Sequence, residues 1–251
     1  MSKFFHRVAE QLIDALVSAV LSSAISFLSF KPTNPNYLKV IVASILLMTM
    51  LFMIVFAFLR KAVKYKFRIR SLDIFVEYTK KNVKITCSYT LSTYSMFQKS
   101  VFTDHVLSEN DQPIFRVRPP KFEHDKIEIA RNEYDYSVRF PKPLSFWDAP
   151  IKFRTIRVIP INSMPKSCYA YKVIYPIDNL TIDVRIPESM CSETAEVTSY
   201  HVYEKEDLAT HEDISYCCGY RYTPKNLHVD YKYAVKWKWS EDAKELYEQK
   251  R

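Results

Sequence analysis

A stripe of polar side chains runs through the first apolar segment of the chain, and these residue types could line a path for water or ions. Its members recur every three or four residues, so they share one side of a helix. They are Gln11, Asp14, Ser18, Ser22, Ser26 and Ser29. A polar stripe is costly against lipid, which predicts either a water-filled pore or close helix packing. Both interpretations require a homo-oligomer. In a third interpretation, the serine hydroxyls donate hydrogen bonds to backbone carbonyls of their own helix, which leaves Gln11 and Asp14 unexplained.

Two pairs of basic residues in the later part of the chain could hold an anionic ligand. Arg116 and Arg118 alternate along one predicted strand, and Lys152 and Arg154 along another, so each pair projects from one face. The phase changes at Arg157, which is expected to point the other way. The stretch that contains them has ten basic residues against six acidic ones. These residue types predict binding of a nucleotide or a similar anion.

Aromatic residues near this basic stretch could stack on the bases of such a ligand. They are Tyr134, Tyr136 and Trp147. An ordinary solvated sheet face is the alternative interpretation of the basic pairs. A further alternative partner is the acidic segment 193–213 of a neighbouring subunit, which has seven acidic residues and one lysine.

Glycine and cysteine usage argues against several enzyme classes. Gly219 is the single glycine of the chain. Phosphate-binding loops and dinucleotide fingerprints need several glycines, so neither is present. The histidines and the five cysteines show no spacing typical of zinc. We therefore predict a protein that is not an enzyme and that has no cofactor and no metal.

Two apolar runs, Gln11–Phe30 and Leu38–Leu59, are each long enough to cross a bilayer, and a short turn separates them. This arrangement predicts a transmembrane helical hairpin over residues 1–70. Ten basic and two acidic residues give that segment a charge of +8, equal to the charge of the whole chain. The basic residues after the second run place both termini in the cytoplasm of a two-pass inner-membrane protein, in contact with membrane lipid.

From residue 71 the hydrophobic period changes to two, which is typical of strands. Tyr231 to Trp239 is the clearest example, with aromatic and aliphatic residues alternating with lysines. About a dozen such segments without a long helix predict a cytoplasmic antiparallel β-sandwich or barrel over 71–239. Residues 240–251 begin with serine and early acidic residues, which favours a short C-terminal helix.

This layout resembles that of bacterial anti-phage membrane effectors. The stretches Tyr134–Leu144 and Tyr233–Trp239 are similar to strands of the β-rich domains in two-transmembrane CBASS effectors and Hailong-type effectors. The resemblance implies an oligomeric inner-membrane effector or ion channel acting in anti-phage defence. Its β domain would sense a cyclic nucleotide or oligonucleotide made by a partner nucleotidyltransferase. The alternative function is a membrane-tethered β-sandwich protein-interaction module without pore activity.

Overall fold

The computed structural model describes residue 18 and the ranges 35–79, 81–94, 99–107, 114–130, 133–161, 165–203, 210–216 and 219–248. The chain divides into two compact units, Met1–Lys61 and Ala62–Arg251. The first contains most of one long helix. The second contains all the strands and a short helix near the C-terminus.

The long helix, α1, spans Pro35–Lys64. Proline suits the first turn of a helix, where its missing N–H would have no helical partner. Apolar side chains along the helix are exposed, among them Leu46 at 65% and Met50 at 64%. Within the described residues, no helix satisfies both the length and the apolar character needed to cross a membrane.

The prediction of a two-pass transmembrane hairpin is therefore wrong, and the inner-membrane localisation and ion-channel activity inferred from it are corrected with it. The prediction took two apolar runs as two separate spans. The first run, Gln11–Phe30, lies outside the described residues apart from Ser18. The second run does not end its helix at Leu59, because α1 continues through Arg60 and Lys61 to Lys64.

The second unit consists mainly of strands. They are β1 (Phe67–Tyr78), β2 (Asn82–Thr93), β3 (Lys99–Leu107), β4 (Ile114–Arg118), β5 (Glu123–Ala130), β6 (Glu133–Leu144), β7 (Ile151–Pro160), β8 (Cys168–Lys172), β9 (Ile177–Arg185), β10 (Cys191–His201), β11 (Thr210–Ser215), β12 (Tyr220–Tyr222) and β13 (Tyr231–Trp239). A 3-10 turn, Glu188–Met190, precedes β10. Helix α2 (Glu241–Glu248) follows β13, and the Ser240 hydroxyl accepts a hydrogen bond from the Ala243 N–H at 3.2 Å.

The described strands form three sheets. The largest has six strands in the order β12-β9-β1-β2-β7-β4, the second has the order β11-β10-β13-β8, and the third has the order β3-β6-β5. The expected sheets were antiparallel throughout. The structure corrects this, because β1 pairs with β9 in parallel from Ile69↔Ile177 to Glu77↔Arg185. A parallel pair needs a long crossover, which here includes the seven described strands from β2 to β8.

Aromatic side chains join the six-stranded sheet to both smaller sheets. The Tyr78 ring of β1 lies 5.3 Å from the Trp237 ring of β13. The Phe67 ring, also of β1, lies 5.6 Å from Phe102 of β3 and 6.1 Å from Phe140 of β6. Edge-to-face geometry of this kind adds to the burial free energy of each ring. One continuous core therefore holds the three sheets together.

Gly219 occupies a position that only glycine fits easily. Its φ is +142°, and it lies immediately before β12, beside β9. A Cβ atom added there would lie 2.9 Å from the Val184 carbonyl oxygen, which belongs to the backbone of β9 and has little freedom to move. The one glycine of the chain is thus a packing and conformational requirement of the β9–β12 pair.

We expect Gly219→Ala to lower the free energy of unfolding by about 1–3 kcal/mol, because alanine is strained at this φ and its methyl group meets backbone. Chemical denaturation of the two proteins gives the difference. Lys238→Ala, at an exposed site on β13, is the control and should change stability by less than about 0.5 kcal/mol. Equal stabilities of the parent and Gly219→Ala would contradict this interpretation.

Candidate functional site

The predicted ligand-binding residues meet at one edge of the six-stranded sheet. β4 is its terminal strand and pairs with β7, with Arg118 directly opposite Arg154. Arg116 and Lys152 project from the same face as these two arginines. All four side chains are exposed. This face points away from the core, since Val117 and Phe153, one position along, are buried. Arg116, Arg118, Lys152 and Arg154 are called the basic patch below.

The basic patch differs from the other cations of the same sheet face. Arg221 of β12 lies 2.9 Å from the Asp183 carboxylate, and Lys84 of β2 lies 3.6 Å from that of Glu77. Among the described residues, no carboxylate pairs with any member of the basic patch. Like charges directly opposite each other in a sheet are destabilising. An anion bound between Arg118 and Arg154 would remove that repulsion.

A surface groove of about 420 Å³ lies at this edge. It is lined by Lys84, Ile114, Arg116, Arg118, Ile156 and Val158. Its volume falls in the range typical of small-molecule sites, about 300–1,000 Å³. Arg116 and Arg118 therefore line a ligand-sized groove, whereas Lys152 and Arg154 lie on the same face beside it. Sequence reasoning missed Lys84 and the three aliphatic residues, because only strand register brings them to β4.

An exposed aromatic turn, Ser145–Asp148, leads into β7 at the end of the sheet where Lys152 lies. Trp147 is 77% exposed, and its ring lies 5.0 Å from that of Phe146. The Asp148 carboxylate accepts hydrogen bonds from the Ser145 N–H at 2.6 Å and the Ser145 hydroxyl at 2.8 Å. These bonds lower the pKa of Asp148. The ionised carboxylate thus fixes a turn that presents two aromatic rings to solvent.

The other predicted stacking residues do not form such a surface. Tyr136 is buried and stacks on Phe115 with ring centroids 4.0 Å apart, so it is part of the core. The side chain of Tyr134 lies outside the described set. For base stacking, the structure therefore favours Trp147 of the three.

The polar stripe of the first apolar segment lies almost entirely outside the described residues. Ser18 is helical and exposed. The structure does not describe the other members, Gln11, Asp14, Ser22, Ser26 and Ser29. Their pore-lining or packing role stays a prediction from sequence.

A second group of polar residues lies inside the sandwich, where the three sheets meet. Arg157 of β7 is 4% exposed, and its Nη2 lies 3.4 Å from the Cys87 sulfur of β2. The Tyr89 hydroxyl, also of β2, donates a hydrogen bond of 2.6 Å to the Asp104 carboxylate of β3. Tyr169 of β8 hydrogen-bonds Arg157. Each sheet thus contributes at least one member to this group, the interior polar cluster: Cys87, Tyr89, Asp104, Arg157 and Tyr169.

The electrostatics of the interior polar cluster keep Arg157 charged. Burial acts to lower the pKa of Arg157, because it disfavours the cation. The combined effect of the surrounding groups is larger and raises the pKa on balance; these groups are Cys87, Tyr169, Tyr89 and Asp104. Burial, followed by the Asp104 charge, raises the pKa of Tyr89 well above its ordinary value. Burial raises the pKa of Tyr89 and of Tyr169, so both tyrosines are neutral at neutral pH, and Asp104 is the acidic residue of the cluster.

The space at the interior polar cluster is too small for a substrate. The cavity lined by Asp104, Thr155 and Arg157 has a volume of about 10 Å³. This is room for about one water molecule. No group of three or more metal-ligating side chains occurs among the described residues. The cluster is therefore a structural element, and the groove beside the basic patch is the stronger candidate for ligand binding.

Arg154 and Arg157 lie on the same strand but face opposite sides, which gives a matched test. We expect Arg157→Ala to lower the free energy of unfolding by about 3–5 kcal/mol, because it leaves the buried Asp104 charge uncompensated. Arg154→Ala should change it by less than about 0.5 kcal/mol, as expected for an exposed side chain. Chemical denaturation measures both. Similar losses for the two variants would contradict the assignment of Arg157 to the core and Arg154 to the surface.

Comparisons with known proteins assign no family to the chain. No family model and no curated protein matches it. Solved structures that align with it include an M1 zinc metallopeptidase from Deinococcus radiodurans, with 10% identity and a TM-score of 0.40. A variant of a two-domain M1 zinc metallopeptidase bound to L-tryptophan aligns with 11% identity and a TM-score of 0.39. The alignments cover 68% of this chain and 42% and 43% of those chains. Similarity at this level carries no functional assignment.

Proposed function

We propose that the β-rich unit is a non-catalytic recognition module that binds an anionic ligand at the basic patch. The single observation that carries this is the direct opposition of Arg118 and Arg154 on an exposed sheet face, without a carboxylate partner among the described residues. Two arginines on directly opposed positions suit a phosphate, because each planar guanidinium can donate two parallel hydrogen bonds to phosphate oxygens.

A nucleotide or oligonucleotide is the ligand class that we propose. The groove adds an aliphatic floor beside the arginines, formed by Ile114, Ile156 and Val158. Trp147 adds an exposed ring on which a base can stack. The sequence resemblance to anti-phage effectors implies the same class of ligand. The anti-phage role and the partner nucleotidyltransferase stay predictions.

A second candidate function is a protein-interaction module. The observation that favours it is that the six-stranded and four-stranded sheets end, in the described part of the chain, in strands β4 and β11. Terminal strands carry backbone N–H and C=O groups that can pair with another chain.

The proposal is tested by titrating the full chain with a cyclic dinucleotide, a linear oligonucleotide and inorganic pyrophosphate. We expect Arg118→Glu/Arg154→Glu to weaken binding at least tenfold, about 1.4 kcal/mol, because it reverses the charge that contacts phosphate. Calorimetry gives the affinity. Lys225→Glu/Lys238→Glu, which makes the same charge change at exposed sites elsewhere, should bind as the parent does.

Trp147 supplies a second readout of the same titration. Trp237 and Trp239 are 4% and 8% exposed, so quenching of the tryptophan fluorescence by a bound base reports on Trp147. Quenching by the nucleotides and not by pyrophosphate is the expected pattern, and Trp147→Phe should abolish it. Failure of all three ligands to bind, or equal binding by the Arg118→Glu/Arg154→Glu variant, would refute the proposal.

A further inference from the structure

One terminal strand of the six-stranded sheet and one terminal strand of the four-stranded sheet carry opposite charges. β4, the terminal strand of the six-stranded sheet, carries the exposed Arg116 and Arg118. β11 is the terminal strand of the four-stranded sheet as far as the structure describes it, and its exposed residues include Glu212 and Asp213. The two strands are five and six residues long, so either can pair with the other along its whole length.

Charge decides which pairs of terminal strands are compatible. Two copies of β4 side by side would place arginines against arginines, and two copies of β11 would place carboxylates against carboxylates. Like charges on neighbouring strands are destabilising, and natural proteins use them to block pairing of this kind. Of the three pairings that these two strands allow, only β4 of one copy with β11 of another brings opposite charges together.

The faces of the two strands also match. Asp213 pairs with Glu196 of β10, and both lie on the face opposite the buried Ala195 and Val197. Arg116 and Arg118 likewise lie on the face opposite the core. Continuing one sheet into the other with these outer faces aligned places Asp213 beside an arginine of β4. On the same face, Arg154 lies on the strand next to β4 and Glu196 lies on the strand next to β11, so each adds to the charge of its edge.

We infer that β4 of one copy pairs with β11 of a second copy to form a continuous sheet across the two molecules. The contact is heterologous, because different surfaces of the two copies meet. The pair therefore keeps one free β4 edge and one free β11 edge, and assembly proceeds to a closed ring or a longer array. The inference rests on the proposed function in one respect, since the acidic strand and the anionic ligand share the basic patch. Ligand binding then competes with assembly.

Mixing two charge variants of the full chain tests this contact. In Arg116→Glu/Arg118→Glu both β4 and β11 are acidic. In Glu212→Lys/Asp213→Lys both strands are basic. We expect each variant alone to self-associate at least tenfold more weakly than the parent. An equimolar mixture should reassemble, because every contact then joins an acidic edge to a basic one. Sedimentation velocity measures the three samples, and Lys225→Glu/Lys238→Glu is the control.

A covalent readout makes the test independent of other association surfaces, α1 among them. In the variant Arg116→Lys/Arg118→Lys, a zero-length carbodiimide reagent should link position 116 or 118 to Asp213 of another copy, because Asp213 projects from the outer face whereas Glu212 projects from the face of Val197. Isotope labelling of one of two mixed preparations shows that the link joins different copies. Absence of this cross-link, or unchanged association of the separate variants, would overturn the inference.

The two proposals fail in different ways. Glu212→Lys/Asp213→Lys leaves the basic patch intact, so it should bind nucleotide with at least the affinity of the parent if the proposed function is right. Nucleotide binding by this variant without any reassembly in the mixture would refute the edge contact and leave the proposed function standing. Reassembly without nucleotide binding by any form of the protein would refute the proposed function alone.

Discussion

The charge of Arg157 is the constraint on which the arrangement of the β-rich unit depends. A guanidinium group cannot be transferred from water to a protein interior without a large penalty unless other groups replace its hydration. Here the replacement groups come from all three sheets: Cys87 and Tyr89 from the six-stranded sheet, Asp104 from the three-stranded sheet and Tyr169 from the four-stranded sheet. A change in how any one sheet packs would leave a buried charge without its partners. The cluster therefore links the packing of the three sheets to one another.

Fixing Arg157 inside the sandwich also fixes what β7 presents outside. Successive side chains of a strand alternate between its faces. With Arg157 and Thr155 buried, Lys152 and Arg154 must face solvent. The pairing of β4 with β7 then places Arg118 opposite Arg154. One strand thus carries a buried arginine on one face and an exposed arginine of the basic patch on the other, three positions apart.

Local patterns predicted the strands well. The strand predicted to carry Arg116 and Arg118 is present and spans Ile114–Arg118, and the alternation from Tyr231 to Trp239 separates buried aromatic residues from lysines. Alternation also predicted that Lys152 and Arg154 share one face and that Arg157 points the other way. Features that depend on distant residues could not be predicted. The parallel pairing of β1 with β9, the opposition of Arg118 and Arg154, and the contact of Tyr89 with Asp104 all require the register between strands. The transmembrane hairpin was wrong because apolar composition alone was taken as the sign of two spans.

A double-mutant cycle on Arg157 and Asp104 is the most direct test of the central claim, that the interior polar cluster acts as one unit. The free energy of unfolding is measured for Arg157→Met, for Asp104→Asn and for the double variant. If the two charges stabilise each other, the double variant loses less than the sum of the single losses, by about 1–3 kcal/mol. The cycle of Arg154→Met with Asp104→Asn is the control. Arg154 projects from the outer face of the six-stranded sheet and Asp104 lies in the core on its other side, so their effects should add. Additivity within about 0.5 kcal/mol for Arg157 and Asp104 as well would contradict the claim.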